Sequence, residues 1–329
     1  MLTAGSRRGG RRPDRDNVPH MHLIVPFAGT VSEAGQQALQ TLALPRLQTL
    51  LARLQPAQRV GSDAYSPNAP HELALATALG WPAAADNALP WAARQAAALG
   101  LDGSQPWGLL TPVHLHVGTD SVSMTPPWSL QLDDAASRQV LEAVRNLFET
   151  EGFGLHHAAP QQWLATHALF DGLATASLDR VTGRNVNAWL PDQRSARLLR
   201  RLQNEVQMLL YTHPLNDARE AAGLPTVNSV WFSGCGRLPA GAAAATDLAV
   251  NDSLRMPALS EDWAAWCEAW QALDAGPIDA VLRSGGGEAS LTLCGERFAQ
   301  TFAPAPQGLW QRLAGRWRQP SVHSMLEAL

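Results

Sequence analysis

The sequence predicts an α/β protein with a helix-flanked sheet and a small α+β insert. Three observations carry this. Short apolar runs of strand length recur between longer stretches with helical periodicity, which is the alternation a helix-covered sheet needs. Hydrophobic residues make up 46% of the chain, enough for a sizeable core. The 329 residues suit one large α/β core or a core carrying a smaller insert.

The elements follow in order. Residues 1–20 hold Arg7, Arg8, Arg11, Arg12 and Arg15 among Gly, Pro and Asp. No apolar run of signal or membrane length follows, so the stretch predicts a disordered basic tail, with a nucleic-acid or membrane arm as the sharper alternative. Met21 directly precedes the first strand and is as good a start as Met1. "HLIVPFAG" (22–29) is a buried strand entering a loop at Gly29. Leucines at helical spacing predict a helix over 33–54 with Pro45 as a break. A polar segment, "VGSDAYSPNAP", leads to helices at 71–79 and 90–100. "LLTPVHLHVGTDSVSM" (109–124) alternates as a hairpin, 132–152 is an amphipathic helix, and "QQWLATH" (161–167) is a strand. These define the expected insert over 107–185, with 21–106 and 186–329 as the core. Residues 191–214 form a long helix stopped by Pro214, followed by a strand at Val227–Phe232. The Ala/Gly run at 240–245 is a loop. Helices at 260–273 and 276–284, a strand at 289–295 and a final amphipathic helix around "GLWQRLAGRW" complete the chain.

Composition excludes several function classes. The formal charge is −4, which gives no reason to expect nucleic acid, and no segment has the length of a membrane span. There is no lysine, so Schiff-base chemistry and a P-loop lysine are absent. Cys235, Cys267 and Cys294 are scattered and odd in number, which points to a reducing, cytoplasmic setting.

Candidate chemistry is sparse. His114 and His116 share a strand face, and His156-His157 lie in a nearby turn, but no Asp, Glu or Cys is patterned with them to complete a metal site. "SGCG" (233–236) could cradle phosphate, although it lacks the P-loop and dinucleotide spacings. Cys235 between two glycines could be an exposed thiol with no histidine beside it in sequence. Trp263, Trp266 and Trp270 fall on one helix face, which is core or, less simply, an interface.

The densest signal is "THPLNDAREAAGLPTVNSVWFSGCG" (212–236). Its polar residues would either knit helix to strand or form an anion site in which Arg219 offers a bidentate fork. The segment resembles a stretch of the archaeal-type, cofactor-independent phosphoglycerate mutases of the alkaline phosphatase superfamily. His213, Pro214, Asn216, Arg219, Gly223, Asn228, Trp231, Gly234 and Gly236 stand at the matching places. A closer resemblance is to the bacterial RpfE-type regulatory group. The resemblance extends over most of 21–300 and implies an alkaline-phosphatase-like sheet core with an inserted domain.

It also implies where chemistry would sit. The parent enzymes transfer a phosphoryl group through a Ser or Thr nucleophile flanked by two divalent metals. The chain departs from that pattern. Phe27-Ala28 stand where an Asp-Gly is expected, His71-Glu72 where the nucleophile is expected, and Gly295-Glu296 where the last strand should end in Asp-His. The expectation is therefore a mutase-like protein without metals or other cofactors. It would act as a non-catalytic regulatory or binding protein, with a phosphorylated small molecule or a protein as its partner. His213, Asn216, Arg219, Asn228, Trp231, Gly234 and Gly236 are its candidate ligand residues. An active metal-dependent mutase or phosphatase would instead draw on Ser62, Asp63, His71 and Glu72. A structural, complex-forming protein is the third possibility.

Overall fold

The computed structural model describes residues 21–61, 65–82, 88–191, 196–242, 248–283, 289–304 and 321–329. The expected basic tail, Ser62, Asp63 and the helix around 308–317 lie outside these residues.

Two sheets organise the fold. The first has five strands in the order β2–β11–β10–β1–β9. They comprise β1 (His22–Val25), β2 (Leu54–Gly61), β9 (Leu248–Val250), β10 (Ser290–Cys294) and β11 (Phe298–Pro304). β1 runs parallel to both β9 and β10, whereas β10–β11 and β11–β2 are antiparallel. Both faces of the central strands are buried, so "HLIV" and "SLTLC" read as apolar runs rather than strict alternations. Leu23, Val25, Leu291 and Leu293 face one layer of helices: α1 (Glu33–Thr41), α2 (Pro45–Leu51) and α10 (Trp263–Leu273). Trp266 and Trp270 of α10 are fully buried there. Ile24 and Cys294 face α3 (Pro70–Ala78) on the other side.

The second sheet, β6–β7–β3–β8, is wholly antiparallel. Its strands are β3 (Trp107–Val113), β6 (Gly154–Ala159), β7 (Gln162–Thr166) and β8 (Ser229–Gly236). α5 (Asp134–Thr150) and α7 (Ala196–Tyr211) cover one face with Val144, Phe148, Leu199, Leu202 and Val206, while α4 (Trp91–Ala98) covers the other with alanines. The mixed α/β class read from the sequence is the class observed. No described helix is long and apolar enough to cross a membrane.

Several local expectations are corrected. The hairpin is confined to β4 (Leu115–Val117) and β5 (Val122–Met124), because Trp107–Val113 pairs with β7 and β8 instead. His156 and His157 lie in β6, not in a turn. The helix expected over 276–284 begins as a π turn, Asp274–Ile278, around Pro277, which has no N–H to donate, and continues as α11 (Asp279–Arg283). Leu54–Gly61, whose start fell inside the expected helix, is a strand, with Pro56 and exposed polar residues that suit a sheet edge. β8 pairs with β3, so it belongs to the sheet of the expected insert rather than to that of β1.

Candidate functional site

β8 is reached through α8 (Pro214–Ala221), and every singled-out residue of 212–236 has a local task. His213 caps α8, its Nδ1 accepting the Leu215 N–H at 3.2 Å, and Pro214 follows where no helical N–H is needed. Asn216 is 4% exposed; its Oδ1 accepts from Val227 N–H at 2.9 Å, and its Nδ2 donates to Leu210 O and Val227 O at 2.8 Å each. The buried Arg219 donates from Nε to Pro225 O at 2.8 Å and from Nη2 to Leu130 O. The Asn228 amide mimics a strand, accepting from Leu115 N–H at 2.8 Å and donating to Leu115 O at 2.9 Å. The Trp231 indole donates to Ala176 O at 2.8 Å.

Gly234 and Gly236 have φ of 61° and 140° at an extra residue in β8 opposite Trp107–Leu109. A Cβ on either would lie 3.0–3.1 Å from Trp91 or Pro90 Cβ, so these glycines admit α4 rather than a ligand. These contacts knit helix to strand. The thiol of Cys235 is buried, and burial pushes it up to about 12, which corrects the expectation of an exposed thiol. His114 Nδ1 lies 2.9 Å from Thr226 O.

None of the seven candidate ligand residues lines the cleft that Phe27, His71, Asp179 and Glu296 enclose. That cleft, of about 190 Å³, opens at the carboxyl ends of β1 and β10, the position where open α/β sheets place ligands. Its walls come from the β1 exit loop (27–32), the start of α3, α6 (Leu178–Val181) with the turn after it, the α9 (Arg255–Leu259) to α10 connection, and Gly295-Glu296. Phe27 and Glu261, two of the three non-glycine residues with positive φ among the described residues, both line it, at 56° and 54°. Such backbone costs on the order of 1 kcal/mol per residue and gathers at functional sites.

His71 is the sequence-predicted residue that lines this cleft. Its Nε2 lies 3.2 Å from Asp179 Oδ2, and its ring centroid is 5.5 Å from that of Phe27. Arg255 clasps the same carboxylate, with Nε at 2.9 and 3.0 Å from its two oxygens and Nη2 on Oδ1. Burial alone would raise the Asp179 carboxyl, but the hydrogen bonds and charges of His71 and Arg255 outweigh it and hold it well below the usual range. Burial alone would lower His71; Asp179, with help from Glu72, outweighs it and raises the imidazole. Glu72 is raised by burial, and its carboxylate accepts the Ala69 N–H at 2.6 Å at the start of α3. On the far wall, Glu296 accepts from Arg184 at 3.0 Å, Thr30 Oγ1 at 3.1 Å and Val31 N–H at 3.1 Å. Arg180 is buried and donates to Asn68 O and Glu296 O.

Sequence reasoning passed over Asp179, Arg180, Arg184 and Arg255. Asp179, Arg180 and Arg255 fall in helices of only four and five residues and Arg184 in the turn after the first, all too short to show periodicity; the mixed charge of "SLDRVTGR" (177–184) was the one available signal.

The two-metal centre that the mutase resemblance implies needs several unengaged hard donors. Here Asp179 is already held by His71 and Arg255, Glu296 by Arg184 and two loop donors, and Glu72 by Ala69, which leaves the exposed Glu261 as the one lining carboxylate without a side-chain partner among the described residues. Phe27, Ala28 and Gly295 at the strand ends offer no side-chain donor. Among the described residues, no three His, Cys, Asp or Glu side chains group to hold a metal ion. These residues do not fit such a centre.

No family model and no curated protein matches this chain. It is similar to the solved cofactor-independent phosphoglycerate mutase from Thermoplasma acidophilum, at 12% identity over 88% of this chain and 91% of that one, with a TM-score of 0.36. It is also similar to a protein from Pyrococcus horikoshii, at 12% identity over 88% of each chain, with a TM-score of 0.41. Likeness at this level says nothing of chemistry.

Proposed function

We propose that this chain is a non-catalytic, RpfE-type relative of the phosphoglycerate mutases that works by binding a small phosphorylated or carboxylated ligand in the cleft, in a regulatory role. One observation carries the reading: two of the three carboxylates that line the cleft, Asp179 and Glu296, are paired with arginine or histidine and the third, Glu261, is exposed, so the wall presents donors rather than a cage for cations. Arg184 supports the anionic character of the ligand. It is 42% exposed and gives one nitrogen to Glu296, which leaves the rest of its planar fork for a second oxyanion. His71 adds positive charge when protonated.

A second reading, a working phosphoryl-transfer enzyme, is favoured by the Asp179–His71 pair. There a carboxylate orients an imidazole in a cleft, as a general base requires.

One set of assays separates the two. Millimolar 3-phosphoglycerate is expected to raise the melting temperature of the wild type. The Arg184→Ala variant should lose that rise while its own stability stays within about 1 kcal/mol, as for an exposed ion pair. Mutase and phosphatase assays with Mn²⁺ or Mg²⁺ are expected to show no turnover. Turnover abolished by His71→Gln would establish the enzyme instead, and a wild type indifferent to both phosphoglycerate and inorganic phosphate would end the binding proposal.

A further inference from the structure

α7 is two-faced along its whole length. One side buries Leu199, Leu202 and Val206 against the second sheet. The other carries Arg197, Arg201, Asn204, Met208 and Tyr211, spaced by four, three, four and three residues. That is the stagger of a coiled-coil seam, but it faces solvent. Met208 is 76% exposed and Tyr211 83%, the highest exposures among the large hydrophobic side chains described.

Charge along the seam is lopsided. Arg197, Arg200 and Arg201 crowd the first turns of the helix, where the backbone dipole is already positive and cations are disfavoured. Arg201 finds Glu151 and Glu205, but Arg200 Nε is buried without an acceptor. The aromatic and thioether groups sit at the opposite, negative end.

We propose that this face is an interface between two copies of the chain, with their α7 helices packed antiparallel about a two-fold axis. The seam is self-complementary in that orientation and in no other. An antiparallel neighbour lays its negative helix end beside the arginines and its tyrosine ring beside a guanidinium, and receives the same in return. Met208 packs on the aliphatic stems of the arginines opposite. Asn204 falls near the axis, where a polar seam residue fixes register. A parallel pair would stack arginine on arginine. A purely acidic partner would answer the arginines and leave Met208 and Tyr211 uncovered. One helix face places the contact among the small, reversible interfaces, below about 1,200 Å².

Sedimentation velocity over a range up to about 200 µM is expected to show a reversible monomer–dimer equilibrium, since weak association follows mass action. Met208→Glu and Arg197→Glu should each weaken it at least tenfold, with unchanged far-UV circular dichroism and melting temperature. Orientation is read by cross-linking in a Cys267→Ser background with a short bismaleimide. Arg197→Cys and Tyr211→Cys chains should join when mixed, and neither should join to itself. A wild type that stays monomeric, a dimer indifferent to both α7 substitutions, or self-joining of Arg197→Cys would each overturn the proposal.

Discussion

Asp179→Ala is expected to cost about 3 kcal/mol of folding stability, because it leaves the half-buried Arg255 and the His71 imidazole without their shared counter-charge. The carboxylate is 7% exposed and joins three segments: His71 of α3, its own helix α6, and Arg255 of α9. Its loss should loosen the cleft walls together, and thermal or urea unfolding measures the effect. The same pair shapes the pH profile. Asp179 is depressed in the fold, so its contribution is present above the ordinary carboxylate range near pH 4 and fades as pH falls below it. His71 is raised, so its contribution is full below about pH 6.5 and fades as pH climbs through the folded value; Glu72, also raised, acts in the same direction. Wild-type stability from these groups should therefore peak at about pH 4–5, fall first as Glu72 is forced to ionise and again as His71 loses its proton, and Asp179→Ala should flatten the alkaline limb. A loss under 1 kcal/mol, or an unaltered alkaline limb, would show that the pair does not hold the cleft together.

Asn216→Ala should be as severe, at about 3 kcal/mol, because it leaves the Val227 N–H, the Val227 carbonyl and the Leu210 carbonyl buried without this partner. The end of α7 and the entry to β8 should separate in hydrogen exchange. Any phosphoglycerate-induced shift should survive, measured from the lower baseline. If the variant folds with wild-type stability and loses only ligand response, Asn216 belongs to a ligand site after all.

The contrast between these two residues shows what was legible in the sequence. Asn216 sits in a stretch where polar partners lie within a dozen residues, so the pattern was visible, and the same locality explains its structural work. Asp179 and Arg255 are 76 residues apart and meet only when α6 and α9 converge on α3, so nothing in either neighbourhood marks them. Apolar strands such as β1 and β10, and amphipathic helices such as α5 and α7, declared themselves through periodicity. β2 did not, because it pairs on one side only and most of its side chains face water. His71 was noticed as a replacement at an expected nucleophile position, and it lines the cleft; the partner that gives it a role could not be read from its surroundings.

The order of strands in the first sheet sets a timetable for synthesis. β1 leaves the ribosome first, yet its neighbours begin at residues 248 and 290, so it has nothing to pair with until most of the chain has emerged. The second sheet lies wholly within 107–236 and can close before β9 exists. Long-range parallel pairing is slow because loop closure must precede any contact. Refolding followed by pulsed hydrogen exchange should protect β3, β7 and β8 before β1 and β10, and simultaneous protection would contradict this. In the interval "HLIV" is an unpaired apolar strand, the kind of segment that makes a partly folded chain prone to aggregate.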